Sequence, residues 1–213
     1  MTEQRTPALQ IGDKIAWMFA TPVIGYQWQD SADLNGELEA LVLEREAADN
    51  TVRNSNAGGW QSADDLLTWG VPCTNELKRR IDAMLMAVLR ETHVKGHDGP
   101  SARFRMDCWA NVNREGDYNV VHSHPNALWS GVYYVSSGKS DPNIPYAGKI
   151  ELLDPREAAT YIQTHKTTLD QRCLINNDPG FMLMFPSWVK HMVHPHRGDE
   201  PRISIAFNAL AVS

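Results

Sequence analysis

Apolar and polar positions along this chain change rhythm once. From Ala32 to Ala48, Leu34, Leu38, Leu41, Val42 and the stem of Arg45 recur about every 3.6 residues, the spacing of one helix face. Asp33 or Ser31 can cap that helix. After Pro72-Cys73-Thr74 a clearer stripe, Leu77, Ile81, Met84, Leu85, Val88 and Leu89, predicts a second amphipathic helix ending at Lys95-Gly96. Both stripes read as core-packing faces. Beyond Gly99-Pro100 the period shortens to two. Phe104 to Asn113 alternates as a half-buried strand does, and Asn126 to Val135 is dense in aromatic and β-branched residues. Lys149 to Leu153 is a short strand cut off by Asp154-Pro155, and Phe181 to Phe185, Val189 to His194 and Ile203 to Val212 complete the set. Ile15 to Tyr26 reads as one or two short strands punctuated by Pro22. Residues 49–63 and 136–148 read as loops, and 156–172 mix short-helix and loop signals.

Two helices followed by a run of short strands predict an α+β, mainly β, fold: a jelly-roll core with the N-terminal helices packed on one sheet. No linker divides the chain. The expectation is a single domain over 1–213, with 1–100 as a support region and 101–213 as the core that carries the site.

Bulk properties narrow the function. A length of 213 residues buries a full core, and a net charge of -6 argues against nucleic acid or an anionic membrane surface as the main partner. Cys73, Cys108 and Cys173 are widely spaced and form no CxxC, which excludes a disulfide framework or a cysteine zinc site. No apolar leader follows the opening residues and no apolar run approaches a membrane span, so the cytoplasm is the expected compartment.

Histidine placement is uneven: of the eight, positions 122, 124, 191, 194 and 196 fall in two short clusters. His122 and His124, two apart on a strand, aim their imidazoles into one space. An isolated His-x-His pair is more commonly a polar surface pair, but three features favour a metal site. His191 follows a buried strand, and a third ligand from a distant strand is how a barrel completes a metal centre. Arg202-x-Ser204 shares one strand face, and a guanidinium fork beside a hydroxyl forms a carboxylate clamp. Of Tyr133-Tyr134, one phenol must point inward. His122, His124 and His191 are therefore candidate ligands of one metal ion, and Arg202 and Ser204 candidate holders of an acidic cosubstrate. His194, three positions past His191, should face away from the metal, and His196 sits in a turn with no evident role. Asp117 reads as a turn former. Trp109 and Asn111 share a parity that lets them line a pocket or pack inside the core. His93, His97 and His165 show no pairing.

The chain resembles the 2-oxoglutarate and Fe(II)-dependent dioxygenases, specifically a bacterial and phage family of oxygenases distantly similar to prolyl 4-hydroxylases. The matching motifs are Trp109-x-Asn111-x-Asn113-x-x-Gly116-Asp117-Tyr118-Asn119, His122-x-His124-Pro125, Leu128-x-Ser130-Gly131-Val132-Tyr133-Tyr134-Val135 and Gly148-x-Ile150. They continue through Phe185-Pro186-Ser187-Trp188-x-x-His191 and Gly198-Asp199-Glu200-Pro201-Arg202-Ile203-Ser204-Ile205-Ala206-Phe207-Asn208, with Ser55-Asn56-x-Gly58-Gly59-Trp60-Gln61-Ser62 upstream. The resemblance implies a double-stranded β-helix (jelly-roll, cupin-like) and Fe(II) held by His122 and His191. It implies 2-oxoglutarate held through its distal carboxylate by Arg202 with Ser204, assisted by Tyr134. The implied activity is hydroxylase-type oxidation of a substrate coupled to decarboxylation of 2-oxoglutarate to succinate.

One departure is chemical: His124 stands where most of the superfamily has a carboxylate. Three neutral imidazoles give the metal one less negative ligand, which changes its redox potential and its tolerance for other metals. The same donor set suits thiol dioxygenases, a zinc hydrolase or hydratase, or a non-catalytic metal-binding module. The substrate, a small molecule or a peptide, is read by loops whose composition names no ligand, and the oligomeric state is open.

Overall fold

In the computed structural model the protein is described over residues 19–92, 103–156 and 172–212. Eleven strands, two α-helices and a single-turn 3-10 helix (Leu66–Thr68) are present among these residues. The first strand, β1 (Ile24–Gln27), starts after Pro22, and α1 (Ala32–Ala48) follows with the predicted boundaries. Ser31 stands at its N-cap, its carbonyl accepting from the Asn35 amide at 2.8 Å while its side chain makes no capping bond. β2 (Asn56–Ala57) and β3 (Trp60–Gln61) lie inside the stretch that reads as a loop. A two-residue strand is too short for periodicity to reveal; pairing with longer partners creates it. α2 (Pro72–Thr92) buries all six residues of its predicted stripe. Its expected end at Lys95-Gly96 lies outside the described residues, as do the 1–18 and 157–171 segments.

The remaining strands are β4 (Arg103–Asn113), β5 (Tyr118–His122), β6 (Trp129–Ser136), β7 (Ile150–Leu153), β8 (Arg172–Ile175), β9 (Phe181–Pro186), β10 (His191–Val193) and β11 (Arg202–Val212). They form a six-stranded sheet in the order β1-β9-β6-β11-β4-β3 and a five-stranded sheet in the order β2-β5-β10-β7-β8. All the pairings within them are antiparallel. This is the mainly β, jelly-roll architecture the pattern predicts, in the double-stranded β-helix form. β8 had no clear sequence signal, being mostly exposed and, among the described residues, joined to the sheet through β7.

The two faces of the larger sheet carry different residues. On β11, Ile203, Ile205, Phe207 and Ala209 pack with Leu34, Leu38, Val42, Leu77, Ile81 and Met84 of the helices. The alternate residues, Arg202, Ser204, Ala206 and Asn208, face a cavity between the sheets. β9 is buried on both sides: Met182 and Met184 join the helix-side core, and Leu183 and Phe185 meet Ile150, Leu152 and Val189 between the sheets. Asn35 is the polar exception on the inner face of α1, accepting a hydrogen bond of 2.7 Å from the Tyr133 hydroxyl.

Residues 19–92 contribute strands as well as helices. β1 and β3 extend the larger sheet and β2 extends the smaller one. The Gly58-Gly59 turn joins the two sheets at one edge, with φ of 78° and 65°, and a Cβ on Gly58 would lie 2.0 Å from Asp117 Oδ1. That is why this crossing needs glycine beside the Asp117 turn. No helix among the described residues is long and apolar enough to cross a membrane.

Candidate functional site

His122 and His191 face each other as register partners on β5 and β10, so the sheet itself brings two distant histidines together. His124 is not on the strand with His122. β5 ends at His122, and the chain bends through Ser123, His124 and Pro125, with the His124 amide donating to the Ser187 carbonyl at 3.0 Å. Proline cannot extend the ladder, and this tether replaces the expected strand parity as the reason the ring points inward. The three histidines nonetheless converge, each offering one nitrogen, and these atoms lie within 4.8 Å of one another. Ring centroids are 4.3 Å apart for His122 and His191, 5.0 Å for His122 and His124, and 5.1 Å for His124 and His191.

Their surroundings suit metal ligation. Nδ1 of His122 lies 2.7 Å from the Val120 carbonyl and Nδ1 of His191 lies 3.0 Å from the Val189 carbonyl. A carbonyl only accepts, so each Nδ1 carries the proton and each Nε2 keeps its lone pair. Burial pushes His124 down to about 4 and His191 down to about 3; His122 pushes both the same way, and His124 adds to the effect at His191. Burial also lowers His122, against its bond to Val120. All three rings are therefore neutral near pH 7, the form that ligates.

The clamp lies on the opposite wall. Arg202 is buried on β11, with Nε donating to the Gly148 carbonyl at 2.7 Å and Nη1 donating to Asn113 Oδ1 at 3.2 Å and Ser204 Oγ at 3.1 Å. Gly148 has φ of 62°, and a Cβ there would approach Arg202 Cδ to 3.0 Å, which explains this glycine of the Gly148-x-Ile150 motif. Tyr134, the register partner of Ser204, is the inward phenol of the pair. Its ring centroid lies 5.4 Å from the guanidinium carbon, and its hydroxyl is buried with no hydrogen-bond partner among the described residues. Burial pushes the phenol up to about 12 against the pull of Arg202, so the hydroxyl keeps its proton.

A cavity of about 650 Å³ joins the two walls. Trp109 and Asn111 both line it, and Trp109 stands 5.7 Å from the His124 ring. Gln61 on β3, paired with Asn111 across the sheet, also faces it, at 4% exposure. Both amides line the cavity, and neither has a side-chain hydrogen bond to another described residue. Gln61 carried no chemical signal of its own; only the Gly58-Gly59 crossing puts it there.

His194 points away from the other histidines and meets Glu151 at 2.7 Å on the far side of the smaller sheet. His196, which reads as a turn residue without a role, is fully buried. It approaches the Glu200 carbonyl at 2.9 Å and packs beside Gly148 and Arg202. The turn folds back so that His196 lies against Gly148 and Arg202. Asp117 is the predicted turn former, accepting from the Arg114 amide at 2.8 Å.

A family model described as "Putative 2OG-Fe(II) oxygenase" matches residues 107–208, the span from β4 to β11 that holds all three histidines and Arg202. The span that holds the site thus matches the 2-oxoglutarate/Fe(II) oxygenases, a family of oxidoreductases. No curated protein matches the sequence significantly. Among solved structures, a prolyl-4-hydroxylase from Pseudomonas putida is similar at 16% identity and a TM-score of 0.64, covering 90% of this chain and 93% of that one. A prolyl hydroxylase from Trichoplax adhaerens, in complex with a hypoxia inducible factor peptide, gives 12% identity and a TM-score of 0.63, covering 88% and 83%. HygX from Streptomyces hygroscopicus, with nickel and 2-oxoglutarate bound, gives 14% and 0.59, covering 89% and 82%. At these identities the likeness is one of fold.

Proposed function

We propose that His122, His124 and His191 ligate one Fe(II) ion and that Arg202, Ser204 and Tyr134 hold the distal carboxylate of 2-oxoglutarate. The reaction is hydroxylase-type oxidation of a small molecule or a peptide. The observation that carries this reading is the pairing of three converging neutral imidazoles with a buried guanidinium and an orphaned phenol across one cavity.

The residues fit both groups. The histidines offer three nitrogen donors with two tautomers set by backbone carbonyls. A carboxylate against Arg202 would accept from the Tyr134 hydroxyl, which otherwise costs roughly 1–3 kcal/mol as a buried unmet donor. When bound, Fe(II) and 2-oxoglutarate couple dioxygen to substrate hydroxylation, releasing succinate and carbon dioxide. The chain's share is placement. Val132, Ile150, Phe185 and Val193 line the cavity with apolar surface and keep water from the reacting centre. Gly148, Asn113 and Ser204 hold the guanidinium in one orientation. Gln61, Asn111 and the face of Trp109 remain for the substrate. The net-negative chain and its widely spaced cysteines support a cytoplasmic enzyme that acts on neither nucleic acid nor membrane.

The test is anaerobic addition of Fe(II) and 2-oxoglutarate, which should give a charge-transfer band, followed by slow succinate formation in air without substrate. His191→Ala should abolish both. A second reading, a three-histidine zinc hydrolase or hydratase, is favoured by the all-imidazole donor set. It predicts zinc in the purified protein and activity indifferent to Arg202→Ala.

A further inference from the structure

The three histidines differ in what fixes their tautomer. His122 and His191 each face a backbone carbonyl, which admits one arrangement only. His124 does not. Its ring contact is with a side-chain amide, Asn208 Nδ2 to His124 Nδ1 at 3.5 Å. Asn208 lies on the cavity face of β11, beyond Arg202, Ser204 and Ala206, and its Oδ1 accepts from Ser130 Oγ at 2.7 Å. Ser130 is Asn208's register partner on β6 and is buried.

An amide can either donate or accept at this position. With Nδ2 toward the ring, Nδ1 of His124 accepts, so the neutral ring carries its proton on Nε2 and has no lone pair there. A half turn of the carboxamide leaves the heavy atoms in place and reverses the bonds: His124 Nδ1–H donates to Oδ1, and Nδ2–H donates to Ser130 Oγ. Nε2 of His124 then has its lone pair, matching the other two rings.

We propose that Asn208 is the positioning residue of His124. In the metal-bound protein its Oδ1 accepts from His124 Nδ1 while Ser130 takes the amide N–H. The pair does for His124 what backbone carbonyls do for His122 and His191. This rests on the three-histidine metal reading and names the part that makes the histidine in the unusual position a competent ligand. An outer-shell partner of a ligating histidine is worth about 10–100-fold in metal affinity.

The test is Co(II) titration of the full-length protein, followed by its visible spectrum, with no turnover required. Asn208→Ala should weaken Co(II) binding about 10–100-fold, whereas Asn208→Asp, which can only accept from the ring, should bind at least as tightly as wild type. Ser130→Ala should weaken binding less than Asn208→Ala, because the amide remains. In the Zn(II)-loaded protein labelled with nitrogen-15 at histidine, all three rings should show protonated Nδ1. Wild-type affinity in Asn208→Ala, an Asn208→Asp protein as weak as Asn208→Ala, or a Zn(II)-bound His124 with a bare Nδ1 would each overturn the proposal. Melting temperatures of the metal-free variants separate loss of fold from loss of affinity. A wild-type protein that binds no Co(II) overturns the metal reading and this inference together; one that binds it without the expected variant pattern overturns the inference alone.

Discussion

The two faces of the larger sheet are built from the same strands under opposite rules. Toward the helices, β11 presents Ile203, Ile205, Phe207 and Ala209, each fully buried. Gly131 on β6 makes room for the Phe207 ring, since a Cβ there would lie 2.3 Å from Phe207 Cζ. Toward the smaller sheet the alternate residues are Arg202, Ser204, Ala206 and Asn208, and around them stand an orphaned Tyr134 hydroxyl and the Gln61 and Asn111 amides that face the cavity. One face spends its side chains on packing; the other keeps hydrogen-bonding capacity in reserve. The lesson is that stability and chemistry are separated by strand parity, one residue apart.

Substitutions that cross this division test it. The largest effect is expected from Phe207→Ala, which opens a cavity in the dry face and should cost about 3–5 kcal/mol, read as a lower denaturation midpoint. If Phe207→Ala left stability unchanged, the helix-side face would not be the core. Next comes Arg202→Met on the other face. It should weaken 2-oxoglutarate binding to the Fe(II)-loaded protein by about 1.5–3 kcal/mol, the value of a charge-assisted hydrogen bond, as measured by calorimetry. Metal affinity should change far less. Equal loss of both would mean the two walls act as one unit.

The pH response should report the site face as well. His124 and His191 have depressed values of about 4 and about 3, so the unfolded chain binds protons that the folded one refuses. The metal-free protein should therefore lose stability as pH falls from about 6.5, the ordinary histidine value, toward 4. A His124→Gln/His191→Gln double variant should show a flatter profile over that window in chemical denaturation. The smallest effect is Gln61→Leu. Replacing an amide that faces the cavity with an apolar side chain should leave stability unchanged or raise it by up to about 1 kcal/mol. A clear drop in melting temperature would show that Gln61 already has a structural role.

The helices were legible because α2 repeats one apolar face over many turns, and the stripe from Leu77 to Leu89 survives in the fold. The long strands were legible for the same reason, β11 alternating from Arg202 to Ala209. β2 and β3 were not, since two residues hold no period and their pairing comes from β5 and β4. His122, His191, Arg202 and Ser204 stood out by residue type and spacing. Asn208, quoted only as the last residue of a motif, lies further along the same strand and shares the parity of Arg202 and Ser204.

What the sequence by itself determined is the list of participants: which residues are apolar at which period, and which histidines and arginine are clustered. What only the tertiary structure decided is their mutual placement. His122 meets His191 through a sheet register, and His124 turns inward through a tether to Ser187. Gln61 reaches the cavity through a glycine crossing between sheets. Local pattern is fixed by the chain's own chemistry. Convergence of residues far apart in sequence depends on long-range pairing, and no window of sequence contains it.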